Sequence, residues 1–348
     1  MKDIKSFNLD ELIGELESIG EPKFRAKQIY EWIHVKKVRS FDEMGNIPKS
    51  LKEKLSADYF LTALLTERMQ ESKIDGTRKY LFRLADDNFI ESVFMKYKHG
   101  NSVCISSQVG CRMGCRFCAS TLDGLERNLF PSEMLDQIYA IEKDTGERVS
   151  NIVVMGTGEP MDNFDNLIKF IELITNKDGL NISQRNITVS TCGIVPKIRL
   201  LAERKLQITL ALSLHATTDE KRKTLMPIAN TYSIEELMEA CNYYFECTGR
   251  RISFEYSLVA GVNDTNTDAQ ELSALAHRVK AHVNLIPVNP IKERDYKRSS
   301  KEAILSFKNK LEKNGINGTI RRELGADIDG ACGQLRRRQI SEGATCVQ

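Results

Sequence analysis

The chain predicts an α/β fold: a partial barrel of six (βα) units, TIM-like but incomplete, with a small helical accessory domain at its N-terminus. Two observations carry this. Short apolar, β-branched runs alternate with amphipathic helical stretches from residue 102 to 314. A strand–helix–strand unit returns the chain to the same sheet edge, so these strands are parallel. A third observation fits the same architecture. Small, polar and charged residues gather where the strands end, the rim on which parallel (βα) folds place their sites. At 348 residues the chain can bury a large core and carry a second, smaller domain.

Residues 1–75 read as helical. Leu9, Leu12, Ile13, Leu16 and Ile19 form a stripe of helical period, with Asn8 as cap and Gly20 as stop. Pro22 opens a second helix carrying Phe24, Ile29, Trp32 and Ile33. The same segment holds Lys23, Arg25, Lys27, Lys36, Lys37 and Arg39, either a solvated helix face or a surface for phosphates. Residues 76–100 read as a hairpin and linker, because KYLFRLA and FIESVFM alternate apolar and polar residues; Glu91 lies in the second run.

Residues 101–335 form the core. Strands are predicted over 102–108, 151–156, 186–191, 207–214, 251–258 and 282–288. Helices fall near 132–145, 163–176, 196–204, 233–247, 268–281 and 300–314. A closed eightfold barrel needs two more units, so the barrel is partial, with NGTIRREL (317–324) as a further edge strand. A doubly wound open sheet is the competing arrangement. Residues 336–348 read as a basic tail opening with Arg336, Arg337 and Arg338; with Arg321 and Arg322 these suit RNA phosphates or form a solvated charge run.

The net charge of +2 says nothing about nucleic acid. The N-terminal run MKDIKSFNLDELIGEL is charged and lacks an apolar leader, and no stretch reaches the eighteen or so apolar residues of a spanning helix. The expectation is a cytoplasmic protein without a membrane partner. Thiols stay reduced there, and clustered cysteines mean metal binding or catalysis.

The run SSQVGCRMGCRFCAS places Cys111, Cys115 and Cys118 in a C-x3-C-x2-C loop. Three thiolates on one short loop can hold three corners of a [4Fe–4S] cluster, leaving one iron for a ligand that is not protein. That arrangement suits one-electron chemistry on a bound sulfonium, S-adenosylmethionine. Structural zinc is the competing reading, but it prefers four closed ligands with a distant second pair. On the strand-end rim lie Gly156 to Pro160, Ser190, Ser213, His215 and Asn289. Singly, each has an ordinary explanation as a turn, a cap or a core histidine. Together on one rim they point to a site.

The cysteine loop, MGTGEP, SLHA, NLIPVNP and DIDGACGQL occur here in one order and together resemble the radical SAM RNA methyltransferases of the RlmN and Cfr type. The resemblance spans residues 85–335, and the N-terminal helical part looks like that family's accessory domain. It implies a radical SAM-type partial barrel with one [4Fe–4S] cluster on Cys111, Cys115 and Cys118. It implies that Gly158 and Glu159 meet the amino end of S-adenosylmethionine, and that Ser190, Ser213, Leu214, His215 and Asn289 line the rest of that cofactor site. Two cofactor molecules are used per turnover: one methylates Cys332, and the second is cleaved reductively to activate that methyl group. A transient protein–RNA crosslink follows. Glu91 is the implied proton acceptor, and Cys104 attacks the Cys332 sulfur, leaving a disulfide between them. Such an exchange requires proximity and a thiolate.

The implied reaction is methylation at C2 of an adenine of 23S rRNA near the peptidyl-transferase centre, and of the adenine beside the anticodon of some tRNAs. The implied electron donor is a flavodoxin or ferredoxin, and the implied state is a monomer. Within the family the alternative is C8 methylation of the same rRNA adenine; Pro160 after Glu159 leans towards C2. Outside it stand a zinc-containing, non-catalytic RNA-binding protein and a radical enzyme that activates a protein partner. Read from residues alone, Cys332 lies in a Gly- and Asp-rich loop, Cys104 could be a core strand residue, and Glu91 could face solvent or site. Cys192, Cys241 and Cys247 read as packing and Cys346 as tail.

Overall fold

A computed structural model describes residues 1–291, 293–328 and 333–345, with side chains to residue 339. Its centre is a ten-stranded sheet: β1 (Leu65–Glu71), β2 (Arg78–Arg83), β3 (Phe89–Tyr97), β4 (Gly100–Cys104), β5 (Val149–Val154), β6 (Ile187–Thr191), β7 (Thr209–Ser213), β8 (Ser253–Leu258), β9 (His282–Pro287) and β10 (Gly318–Ile320). The strands lie side by side in chain order. β1 to β4 are antiparallel. From β4 to β10 every neighbouring pair is parallel. A doubly wound sheet reverses its order at a switch point; this one does not, so it is the wall of a partial barrel. The core has seven parallel strands, six predicted units plus the NGTIRREL edge strand.

The crossover helices α4 (Pro131–Thr145), α5 (Phe164–Thr175), α6 (Val195–Glu203), α8 (Ile234–Thr248), α9 (Asn266–Arg278) and α10 (Lys301–Lys313) match the predicted ones within a few residues. The additional short helix α7 (Asp219–Leu225) follows β7. Its DEKRKTL run has no apolar stripe, so periodicity does not reveal it.

Ahead of the sheet, α1 (Leu9–Ser18) starts with a capping box between Asn8 and Glu11, α2 (Lys23–His34) follows Pro22, and α3 (Lys49–Asp58) completes the domain. Leu12, Leu16, Ile29, Ile33, Leu51 and Leu55 give it a core of its own. The helical part ends at Asp58, not near residue 75, because LTERMQE is the edge strand β1. Its polar, exposed residues carry little strand signal.

The helical domain is seated on α4. The buried Lys5 ammonium pairs with Asp136 and donates to the Thr62 carbonyl. The second Asp136 oxygen accepts from Leu64 N at 2.6 Å. His34 Nδ1 and the Tyr139 hydroxyl share a 2.8 Å hydrogen bond, and Lys37 pairs with Glu142. Buried charges repay their desolvation only when fully partnered, so this contact fixes one arrangement of the two parts.

Two local departures shape the site. The predicted strand over 102–108 breaks after Cys104. Its end, Gln108–Gly110, pairs antiparallel with Leu125–Asn128 and makes a ribbon that frames the cysteine loop. The Gln137 side chain fills the break, accepting from Ser106 N at 2.8 Å and donating to Ser106 O at 3.0 Å. The basic run Arg336 to Arg338 belongs to helix α11 (Gln334–Thr345) rather than to a tail, anchored by the fully buried Leu335.

Candidate active site

A cavity of about 260 Å³ opens at the carboxyl ends of the parallel strands. Cys111, Cys115, Cys118, Gly158, Glu159, Ser190, Ser213, His215 and Asn289 all line it. Leu214 does not. It is fully buried, its N–H bonded to Glu255 O and its carbonyl to Arg222 Nε. Its contribution is to hold the backbone between Ser213 and His215.

The cysteine loop hangs from the ribbon. Gly110 has φ +75°, and a Cβ there would lie 2.0 Å from the Gly124 carbonyl, so the position requires glycine. Cys111 N donates to that same carbonyl at 2.7 Å. Arg116 N donates to Leu225 O at 2.9 Å, which ties the loop to α7. Burial pushes the Cys111 thiol up to about 12 and the Cys115 thiol higher still.

The MGTGEP turn packs against the ribbon from the other side. Gly158 has φ +108°, and a Cβ there would stand 2.6 Å from the Gln108 side chain. Glu159 N donates to Gln108 Oε1 at 2.8 Å. The buried Glu159 carboxylate accepts from Cys192 N at 2.7 Å and Met161 N at 3.0 Å. Burial raises its pKa, and the Cys192 N–H offsets part of that rise. One oxygen therefore ties the end of β5 to the end of β6, and the other closes the turn that follows β5.

Ser190 Oγ and Ser213 Oγ sit 3.3 Å apart across β6 and β7. His215 is held with φ +57°, its ring edge-to-face with Phe117 at 4.8 Å. Nδ1 accepts from Ser257 N at 2.9 Å, which leaves the proton of the neutral ring on Nε2. Burial lowers its pKa to about 3, with Arg222 adding to the shift. His215 is thus both a hydrogen-bonded interior histidine and a cavity wall offering one N–H donor.

Two residues are missed by sequence reasoning. Cys192, expected to be packing, lines the same cavity. Its position just past the end of β6 is the signal that could have found it. Burial, followed by the Glu159 charge, pushes its thiol far above the usual range, and the thiol is hydrogen-bonded to Glu159. Arg222, from the charged run, is fully buried and donates to the carbonyls of Cys192 (2.6 Å), Leu214 (3.1 Å) and Ser213 (3.3 Å). Among the described residues its Nη1 has no partner. Nothing in sequence marks it.

The donor chemistry fits an iron–sulfur cluster. Cys111, Cys115 and Cys118 lie on one short loop, whereas Cys192, the other cysteine on the cavity wall, comes from the end of β6 with its thiol hydrogen-bonded to Glu159. Glu159 and His215 are committed to backbone partners; a three-thiol loop suits a cluster better than a closed four-ligand zinc site. The charge of Arg222 acts on Cys115 and suits a group that brings negative charge.

Cys104 ends β4 and lines an adjacent cavity of about 330 Å³, which shares Ile286, Asn289 and Arg321 with the first. Glu91 lies on β3. Cys104 is directly opposite Val93, and side chains two apart on a strand share a face, so Glu91, Val93 and Cys104 project to the same side. Glu91 therefore faces inwards, but its surroundings are not apolar. It pairs with the buried Lys79 at 3.0 Å and accepts from Gly333 N and Arg336 N, each at 2.6 Å. It caps α11 from outside that helix. Cys332 lies outside the described residues, as does Cys346.

Comparison with known proteins follows the same lines. A profile described as the radical SAM superfamily matches residues 105–272, and one described as the ribosomal RNA large subunit methyltransferase N-terminal domain matches residues 2–61. A radical SAM methyltransferase from Sphaerobacter thermophilus superposes with a TM-score of 0.92 at 40% identity, over 96% of this chain and 99% of that one. Proteins named probable dual-specificity RNA methyltransferase RlmN are 67% identical in Lachnospira eligens (98% of each chain) and 56% identical in Clostridium novyi (98% of this chain, 99% of that one). The chain belongs to the RlmN family of dual-specificity radical SAM RNA methyltransferases. That superfamily works with a [4Fe–4S] cluster and S-adenosylmethionine.

Two outcomes are expected. His34 and His215 both have pKa values lowered to about 3, chiefly by burial. An unfolded histidine binds its proton near pH 6.5, so their contribution is complete above that pH. It is lost as pH falls towards 3, by up to about 1.4 kcal/mol per pH unit for each ring. Anaerobic urea unfolding at pH 7.5 and 5.5 tests this: His34→Gln should reduce the mean pH slope over that interval by about half a proton, and an equal slope in both proteins rules it out. The second outcome concerns Glu91. Glu91→Ala breaks the buried pair with Lys79 and removes the acceptors of Gly333 N and Arg336 N, and should cost about 3–5 kcal/mol. Adding Lys79→Met should recover part of that loss in the same unfolding assay; additive losses would mean the pair does not interact.

Proposed function

We propose that this chain methylates C2 of an adenine in 23S rRNA, and the adenine beside the anticodon of some tRNAs, through an S-methylcysteine and a transient protein–RNA crosslink. One observation carries the reading. The three loop cysteines share one strand-end cavity with Gly158, Glu159, Ser190, Ser213, His215 and Asn289, in a chain related over its whole length to RNA methyltransferases. When bound, the cluster and S-adenosylmethionine supply one-electron cleavage of a sulfonium.

In this reading Cys111, Cys115 and Cys118 are the cluster ligands. The Gly158–Glu159 turn meets the amino end of S-adenosylmethionine, with the Glu159 carboxylate holding the turn in place through Cys192 N and Met161 N. Ser190, Ser213, the His215 Nε2–H and Asn289 face the rest of the cofactor, with Leu214 holding the segment. Two cofactor molecules serve each turnover. Cys332 carries the methyl group, Glu91 accepts the proton released at the substituted carbon, and Cys104 attacks the Cys332 sulfur to free the RNA. The Cys104–Cys332 disulfide left behind is then reduced by an external dithiol, which leaves as its own disulfide and returns both thiols. Support for Glu91 is its reach: it holds Gly333 N, one residue beyond Cys332. The electron donor is a flavodoxin or ferredoxin, and the enzyme works as a cytoplasmic monomer. No helix among the described residues is long and apolar enough to cross a membrane. The dual-specificity relatives favour this reaction over C8 methylation.

Expression of Cys104→Ala in cells should trap a covalent protein–RNA adduct that a further Cys332→Ala change removes. Mass spectrometry of the adduct should place the bond at C2; attachment at C8 would sink the assignment. Cluster ligation is tested separately by iron content and electron paramagnetic resonance after anaerobic reconstitution. Cys192→Ser should keep both, whereas Cys111→Ala, Cys115→Ala or Cys118→Ala should lose them. Loss of iron in Cys192→Ser would refute a three-cysteine site.

A further inference from the structure

The end of the barrel opposite the cavity carries a pattern of charge that the reaction does not use. Each of the strands β4 to β9 is fed by a loop at this end, and each loop bears an exposed basic side chain: Lys98, Arg148, Arg185, Lys205, Arg251 and Lys280 in order. Among the described residues none of the six forms an ion pair. Most basic side chains of the helical domain and the outer strands do, among them Lys2, Lys54, Arg83 and Lys96. Several acids at this end are already engaged. Glu147 is taken by Lys96 and Asn101, Asp144 by Arg78 and Tyr80, and Asp178 acts on Tyr30 of α2. Glu203 and Glu246, in the last turns of α6 and α8, face the same end, but the strand-feeding loops themselves carry a clear excess of exposed basic side chains in a chain whose net charge is only +2.

Helix dipoles explain part of this. In a (βα) unit the helices end here, and a cation in the last turn gains about 0.3–1 kcal/mol. Lys205 and Lys280 sit just past α6 and α9, with φ of +50° and +53°, where glycine is the usual residue. The dipole does not reach Lys98, which lies on the turn between β3 and β4, nor Arg185, in the loop before β6. Neither residue adjoins a helix carboxyl end (Arg185 lies ten positions past α5), yet both positions carry the same charge as the others.

The face also has a mouth. A cavity of about 550 Å³ runs into the barrel from this end, bordered at its mouth by Arg250, Arg251 and His282 and by the hydroxyls of Thr188, Thr209 and Ser253; the carboxylate of Glu255 also lines it, bonded to Asn284. Tyr97, on its rim, stacks on His99 with ring centroids 5.1 Å apart and planes at 19°. The charges do not converge on a point, as they would for a small anion. They spread over six loops beside a flat aromatic pair, which matches an extended polyanion whose bases can stack.

We propose that the amino-terminal face of the barrel is a second RNA-binding surface, contacting the phosphate backbone of the structured RNA away from the target base. The proposal rests on the RNA-methyltransferase reading above. It gives the enzyme a way to prefer its base within a large folded RNA, because phosphate contacts fix position without reading sequence.

The test compares the cluster-loaded wild type with the triple variant Lys98→Glu, Lys205→Glu, Arg251→Glu. Binding is measured by filter retention across a salt series. One RNA is the isolated target hairpin and the other is a longer rRNA fragment with its flanking helices. The variant should bind the long fragment at least about tenfold more weakly at low salt, and its log–log salt slope should fall by about 0.9 for each phosphate it no longer neutralises. Hairpin methylation should be unchanged. The milder Lys98→Gln, Lys205→Gln, Arg251→Gln variant should show a smaller loss in the same direction, and matching cluster absorbance and thermal melts establish that both are folded. An unchanged affinity and slope for the long fragment overturn the proposal. So does unchanged RNA binding with weakened reduction by an acidic electron-transfer protein, which would make the face a protein-docking surface. A wild type that binds neither RNA fails the functional reading itself.

Discussion

Parallel strands end with backbone donors and acceptors that have no neighbour, and in a buried rim each unsatisfied group costs about 1–3 kcal/mol. Here long-range side chains satisfy them. Glu159 takes the N–H groups of Cys192 and Met161, and Arg222 supplies the carbonyls of Cys192, Ser213 and Leu214. Asn263 supplies those of His215 and Ser257. The ends of β5, β6, β7 and β8 are thereby fixed to one another, which pre-positions the cavity wall for a cofactor rather than leaving it to fold around one.

The same ties set the electrostatics. Glu159 and Arg222 are both buried but do not contact each other; each is compensated through the backbone of Cys192 and its neighbours. The spare N–H of Arg222 and the upward shift of the loop thiols belong together. Both record a pocket with too little solvent to support anionic sulfur on its own. Thiolate ligation there would need cationic compensation, which a metal cluster held by the loop would supply together with Arg222.

Much of the barrel is legible in the sequence because each strand and crossover helix carries a local period, and because parallel topology sends every strand end to one rim. The cysteine triad and most of the cavity-lining residues are legible for the same reason: spacing and strand ends are local facts. What local pattern does not reveal is anything decided by a distant partner. α7 hides in charged residues, β1 is too polar to read as a strand, and the charge run of α11 looks like a tail. Arg222 looks like one more surface cation in DEKRK until the fold encloses it. Cys192 looks like packing because nothing near it in the chain signals that its thiol meets Glu159. An apolar pocket is the simplest setting for a basic Glu91, and the fold instead gives it Lys79 and the start of α11.

That last tie has a consequence for the chemistry. Val93 of β3 faces Cys104 of β4, and Glu91, two residues before it, holds the backbone of Gly333 and Arg336. The strand that carries the proposed base thus lies beside the resolving cysteine and anchors the chain just after Cys332. Residues more than two hundred positions apart are set against one sheet face by two backbone N–H bonds to Glu91, which is itself held by the buried pair with Lys79. A base attached to the segment it serves keeps its distance to that segment even when the segment moves. A carboxylate placed on a separate element would lose register by an ångström or more, enough to matter for proton transfer.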